Sequence, residues 1–71
     1  MANVTKSMTV KGMSCNHCVN SIEGSLAQLN GVQSVKVDLK QELVDVSYDD
    51  EVVNAQDIYS EIEEIGYDVV T

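Results

Sequence analysis

Residues 35–48 read VKVDLKQELVDVSY, and they carry the clearest structural signal in this chain of 71 residues. Apolar side chains stand at every second position in both halves, at Val35, Val37 and Leu39 and then at Val44, Val46 and Tyr48. A period of two is typical of β-strands that bury one face. The polar residues around Gln41 predict a turn, so the stretch is expected to form a β-hairpin.

On both sides of this hairpin the apolar residues change to a helical spacing. Before it they are Val19, Ile22, Leu26 and Leu29. Because Asn30 and Gly31 then supply a stop, a helix is predicted over about residues 16–29. After the hairpin, Asn54 and Asp57 resemble a capping pair for a second helix that ends at Gly66. Its predicted buried face consists of Ile58, Ile62 and Ile65.

Two further strands complete the predicted fold. Met8 and Val10 alternate with polar residues up to Gly12, and Val69 and Val70 close the chain. The order β-α-β-β-α-β, with right-handed crossovers, predicts the ferredoxin-like fold of the α+β class. In it, two helices cover one face of a four-stranded antiparallel sheet. Residues 1–71 are interpreted as one domain, whose apolar core needs no metal for folding.

Both cysteines of the chain lie in one short segment, residues 12–18, GMSCNHC, between the first strand and the first helix. The thiolate is the form that binds metal, and the N-terminus of a helix lowers the pKa of a thiol. Two thiolates, Cys15 and Cys18, suit a soft ion such as Cu(I). The unpaired N–H groups of the first helical turn can stabilise the negative charge of such a centre.

Two other interpretations of this Cys-x-x-Cys segment stay open. It could be a pair of small buried hydrophobic residues, or a thiol-disulfide exchange pair. The chain contains no Trp and no Pro, whereas a thioredoxin-like site resembles an aromatic-Cys-Gly-Pro-Cys stretch with a cis-proline elsewhere, and the chain is also too short for that fold.

Composition narrows the function classes. Twelve acidic residues against four lysines give a net charge of −8, which argues against nucleic acid and anionic lipid as partners and favours a neutral or basic partner. No segment has the apolar length of a signal peptide core or a membrane span, so we expect a cytoplasmic protein with reduced thiols. No catalytic base, phosphate-binding loop or carboxylate pair is visible, and an enzyme is not expected. Lys11 is the basic residue expected near a contact surface.

The chain resembles the heavy-metal-associated domains, and among them most the free-standing bacterial copper chaperones of the CopZ type. The resemblance rests on residues 12–18, on Gly31 and Val32 after the first helix, and on Gly66 and Tyr67 before the last strand. It implies that Cys15 and Cys18 bind Cu(I). It also implies that they pass the ion by thiolate exchange to the Cys-x-x-Cys domain of a copper-transporting P-type ATPase, with a copper-sensing repressor as another recipient.

The resemblance also implies roles for three neighbours of the cysteines. Met13 would point into the core and brace the loop, although its thioether is a soft donor. His17 would be an exposed loop residue in a metal-free monomer and could join a metal cluster shared by two chains. Tyr67 would lie beside the loop, where its hydroxyl could shield the sulfurs or hydrogen-bond near them.

Three alternatives to a free copper chaperone remain at this stage. The same domain occurs as an N-terminal module of copper or zinc ATPases. A zinc or cadmium carrier is disfavoured because zinc-handling relatives often place Asp before the first cysteine, where this chain has Ser14. A dithiol redox protein or buffer is the third.

Overall fold

The computed structural model describes residues 3–14 and 16–70. The elements follow one another as β1 (Asn3–Lys11), α1 (Asn16–Ala27), β2 (Val32–Asp38), β3 (Leu43–Asp49), α2 (Ala55–Glu64) and β4 (Asp68–Val70). The sheet order is β2-β3-β1-β4, and every neighbouring pair is antiparallel. The predicted ferredoxin-like fold of the α+β class is therefore confirmed. In the described part of the chain, neither helix has the length and apolar character that crossing a membrane requires.

The register of the strands determines which of their side chains form the core. Met8 of β1 lies opposite Val44 of β3, and Val35 of β2 lies opposite Val46. These side chains share the face of the sheet that packs against the helices. The core side chains with no exposed surface are Val10, Ile22, Leu26, Val44, Val46, Ile58 and Ile62. No polar or charged residue is buried among the described residues, so burial of apolar surface stabilises the fold.

The predicted cap of α2 is present. The Asp57 N–H donates to Oδ1 of Asn54 at 2.9 Å, and the Asn54 N–H donates to Oδ2 of Asp57 at 3.4 Å. This reciprocal pair is a capping box, which satisfies two backbone donors at the start of the helix. The prediction that Ile65 belongs to the buried face was wrong. Ile65 is the C-cap and is 36% exposed, because the helical rotation that would bury it has already ended.

Element boundaries differ from the prediction at three other places. Helix α1 ends at Ala27 rather than Leu29, and the Leu29 N–H donates to the Leu26 carbonyl in a tighter turn that keeps Leu29 against the core. Strand β2 ends at Asp38, so Leu39 lies in the turn. Strand β1 begins at Asn3, well before Met8, because it pairs with β3 as far as Asp49.

Gly31 lies where two segments of chain approach closely. Its φ is +95°, and a Cβ built on it would lie 2.9 Å from Cβ of Val52 and 3.0 Å from Cγ1 of Val53. The Gly31 carbonyl also accepts a hydrogen bond of 2.8 Å from the Asp49 N–H. The turn after α1 is therefore packed directly against the loop that leads into α2.

Replacing Gly31→Ala should lower the free energy of unfolding by about 2–4 kcal/mol, since it adds a left-handed backbone penalty to an overpacked contact. Urea unfolding followed by circular dichroism measures it. Gly66 has φ +103° but open space around it, so Gly66→Ala should lose only about 1–2 kcal/mol. Gly24 is helical with nothing near it, so Gly24→Ala should gain about 0.5–1 kcal/mol. Equal losses for Gly31→Ala and Gly66→Ala would show that the Val52 contact costs nothing.

Candidate metal site

The cysteine segment connects the end of a strand to the start of a helix. Strand β1 ends at Lys11, and α1 begins at Asn16. Gly12 makes the turn between them with φ +101°, a left-handed conformation that residues with a Cβ rarely adopt. The loop that follows is therefore held at both ends by regular structure.

Met13 attaches this loop to the interior. Its side chain is only 8% exposed and belongs to the same apolar cluster as Ile22 and Leu26 of α1. The neighbouring Gly12 and Ser14 are exposed. The loop thus places one side chain in the core and presents its other described residues to solvent.

Cys18 is the third residue of α1, half-buried, with its side chain packed against the core cluster. Cys15, the other predicted ligand, lies outside the described residues. The first turn of α1 contains no acidic residue. Its N–H groups and the helix dipole therefore act on Cys18 without a competing carboxylate from that turn, which favours an anion there.

The other two predicted neighbours of the cysteines differ in burial. His17 lies in the first turn of α1 and is exposed. Tyr67 is half-buried against the core, and its Cδ1 is 3.4 Å from the position that a Cβ on Gly12 would take. The Tyr67 ring therefore lies beside the turn that opens the loop, although it is far from the loop in sequence.

Lys11 and Glu42 form an ion pair at the base of the loop. Nζ of Lys11 lies 2.9 Å from Oε1 of Glu42, with the two side chains 55% and 35% exposed. Glu42 has φ +58°, and its carbonyl accepts a 2.8 Å hydrogen bond from the Val10 N–H. Lys11 is exposed, and its ammonium group is bound to Glu42; its place near a contact surface stays a prediction. Glu42 could not be singled out from the sequence, since no spacing or motif marks it.

The rest of the described chain offers no second cluster of metal-binding side chains. Across residues 3–14 and 16–70, no three or more His, Cys, Asp or Glu side chains are grouped so that they could hold a metal ion.

Known proteins resemble this chain over nearly its whole length. A copper chaperone CopZ from Staphylococcus haemolyticus is 47% identical over 66 residues, which cover 93% of this chain and 97% of the relative. A solved CopZ metallochaperone superposes with a TM-score of 0.93 at 40% identity, covering 94% of this chain and 100% of that one.

A second similar structure is an N-terminal domain of a potential copper-translocating P-type ATPase from Bacillus subtilis, in the Cu(I)-loaded state. It superposes with a TM-score of 0.92 at 26% identity, over 96% of this chain and 85% of that one. The sequence model of the heavy-metal-associated domain matches residues 7–68. A match of this extent, on the fold and loop described above, shows that the chain belongs to the heavy-metal-associated domain family.

Proposed function

We propose that this protein is a copper chaperone, which binds Cu(I) through Cys15 and Cys18 and transfers it to the metal-binding domain of a copper-transporting P-type ATPase. The observation that carries the proposal is the position of the Cys-x-x-Cys segment at the start of α1, with Cys18 in the first helical turn. The similarity to CopZ chaperones over nearly their whole length supports the choice of metal and role.

The chemistry of the segment favours Cu(I) over harder ions. Thiolates are soft ligands, and Cu(I) is a soft ion. Two thiolates on one Cu(I) leave a net negative charge, which the N–H groups of the first turn of α1 stabilise. Because Met13 is buried in the core, its thioether is turned away from the solvent-facing part of the loop. Zinc, which takes four ligands in structural sites, would have two positions left to fill.

Cu(I) bound by only two thiolates can also be transferred readily to a partner. An incoming thiolate of the partner forms a new S–Cu bond before a donor S–Cu bond breaks, and a second exchange completes the transfer. Copper stays Cu(I) throughout, so no oxidant or reductant takes part. The exposed Ser14, Asn16 and His17 leave the loop open to such an approach.

The partner proposed here has the same kind of domain. The ATPase domain from Bacillus subtilis that was solved with Cu(I) shares this fold, so donor and recipient can present similar loops to each other. A net charge of −8 favours a recipient with basic residues around its site. A copper-sensing repressor is a second recipient of the same chemistry. The role is that of a carrier rather than an enzyme, and it requires reduced thiols, as in the cytoplasm.

Cys15→Ser and Cys18→Ser should each abolish tight Cu(I) binding, because a hydroxyl is a poor ligand for a soft ion. Competition with a Cu(I) chelator measures the affinity. The affinity should fall by more than about 100-fold, which is the upper cost of removing a residue that only hydrogen-bonds to a metal ligand. Ser14→Ala, a neighbouring change in the same loop, should keep full affinity. Full affinity in Cys15→Ser would contradict the two-thiolate site.

Substitutions of Met13 should separate a packing role from a ligand role. Met13→Ala should lower the free energy of unfolding by about 2–5 kcal/mol, since it leaves a cavity in the core. Met13→Leu, close in volume, should cost less than about 1.5 kcal/mol and leave the Cu(I) affinity unchanged. Thermal unfolding and chelator competition give the two quantities. A stable Met13→Leu protein with much weaker Cu(I) binding would show that the thioether is a ligand.

Transfer to a copper-ATPase domain should be faster than transfer to free glutathione at equal thiol concentration, because docking brings the thiolates together. Stopped-flow mixing of the Cu(I)-loaded protein with each acceptor measures the rates. Rising salt should slow transfer to the domain, because the Debye length, the distance over which charges act on each other, shortens to about 8 Å at physiological ionic strength. Equal rates for both acceptors would remove the chaperone role and leave a copper buffer.

A further inference from the structure

Within residues 3–14 and 16–70, most of the outer edge of strand β1 has no partner strand. The strand runs from Asn3 to Lys11, whereas β4 pairs only with Thr9, Val10 and Lys11. On the other side, β3 pairs with β1 from Asn3 to Thr9. On the β4 side, therefore, no described strand covers residues 3–8.

Backbone N–H and C=O groups along this edge point outward, where another strand could pair with them. The Val10 N–H donates to the Glu42 carbonyl at the start of β3, so the backbone groups of Val10 point toward β3. Backbone groups alternate in direction along an antiparallel strand. Those of Thr5 and Ser7 therefore point away from β3, toward the open edge. Such a row of groups is a template for pairing with another chain.

Lys6 lies in the middle of this edge with an unusual orientation. It is opposite Val46, a fully buried residue of β3, so its side chain leaves the sheet on the side that faces the helices. There it lines an open notch of about 280 Å³ together with Met8, Tyr59 and Val70. Lys6 is exposed, and within the described part of the chain its ammonium has no hydrogen-bond or salt-bridge partner.

We propose that Lys6 prevents β1 from pairing with the β1 edge of a second copy of this chain. Because Val70 pairs with Thr9, residues 3–8 are the part of this edge that no described strand covers, and Lys6 lies inside that segment. Pairing would hold the ammonium in the notch against Met8 and Tyr59. Residues 3–8, NVTKSM, contain no carboxylate, so the paired segment of the second copy brings another lysine and no counter-ion of its own. Taking an unpaired charge out of water is strongly unfavourable.

The opposite edge of the sheet has a different protection. Strand β2 carries an irregularity between Val32 and Ser34, which interrupts its register with β3. A bulge of this kind bends and twists an edge strand away from pairing. Its lysine, Lys36, lies opposite Asp45. The β2 edge therefore depends less on one charged side chain than the β1 edge does.

Lys6→Val tests the proposal, because it removes the charge and introduces a strong strand former. The metal-free protein is measured with reductant and chelator present, so that a metal-bridged dimer cannot form. Analytical ultracentrifugation should show wild-type monomers and Lys6→Val dimers, with a dimer dissociation constant at least tenfold lower than that of the wild type. Lys6→Glu, which keeps a charge at the position, should stay monomeric.

Three further substitutions locate the contact. Thr5→Pro removes an N–H that points to the open edge, so in the Lys6→Val protein it should abolish the dimer and leave the monomer folded, as circular dichroism checks. If that protein does not fold, Ser7→Pro makes the same test. Lys36→Val makes the same change of charge and apolarity as Lys6→Val, but on the β2 edge. The Lys36→Val protein should stay monomeric. A monomeric Lys6→Val, a dimer that survives both prolines, or equal dimerisation by Lys36→Val would each overturn the proposal.

Discussion

The alternation of side chains along β1 and β3 is the constraint on which the rest of the structure depends. The register that puts Met8 opposite Val44 sends both side chains to the helix side of the sheet. A shift of one residue would turn them to the solvent and bring polar residues inward, at the cost of most of the buried apolar surface. Since Ile22 and Ile58 pack on this same face, the register also fixes where both helices lie.

The cysteine loop takes its position from this core. It begins where the alternation of β1 stops, at Gly12, and the next residue returns to the core as Met13. Helix α1 then starts at Asn16 and is held by Ile22 and Leu26. Cys18 is consequently placed in the first helical turn by the contacts of α1 with the core. If the proposed site is correct, this arrangement positions one of its ligands before the metal arrives.

Local patterns predicted the elements well because the apolar residues repeat with unmistakable periods, as at Val44 and Val46 or at Ile58 and Ile62. They failed where tertiary contacts decide the outcome. Strand β1 extends back to Asn3 because β3 offers it a partner, although Lys6 interrupts the apolar positions of its alternation. Leu29 keeps a core contact without belonging to the helix.

The candidate site shows the same division between local and long-range information. The cysteine segment and Met13 could be singled out from sequence because they form one short motif. The Glu42 contact with Lys11 joins residues that are 31 positions apart, and only the β1–β3 pairing brings them together. The side-chain pair is exposed and contributes roughly 0–1 kcal/mol to the stability of the fold. No composition or spacing rule points to it.

The separation between core and loop has a consequence for how a carrier can work. All buried side chains of the described residues are apolar, so the stability of the fold does not come from polar groups at the cysteine loop. Since Ile22 and Leu26 supply the buried contacts of α1, we expect the proposed ion to enter or leave without disrupting them, and we expect folding not to need the free energy of metal binding. In small domains whose folding requires a metal, release of the metal unfolds the chain. With an apolar core of this kind, the proposed carrier is expected to keep its fold in both states, so that the same surface can meet a recipient before transfer and separate from it afterwards.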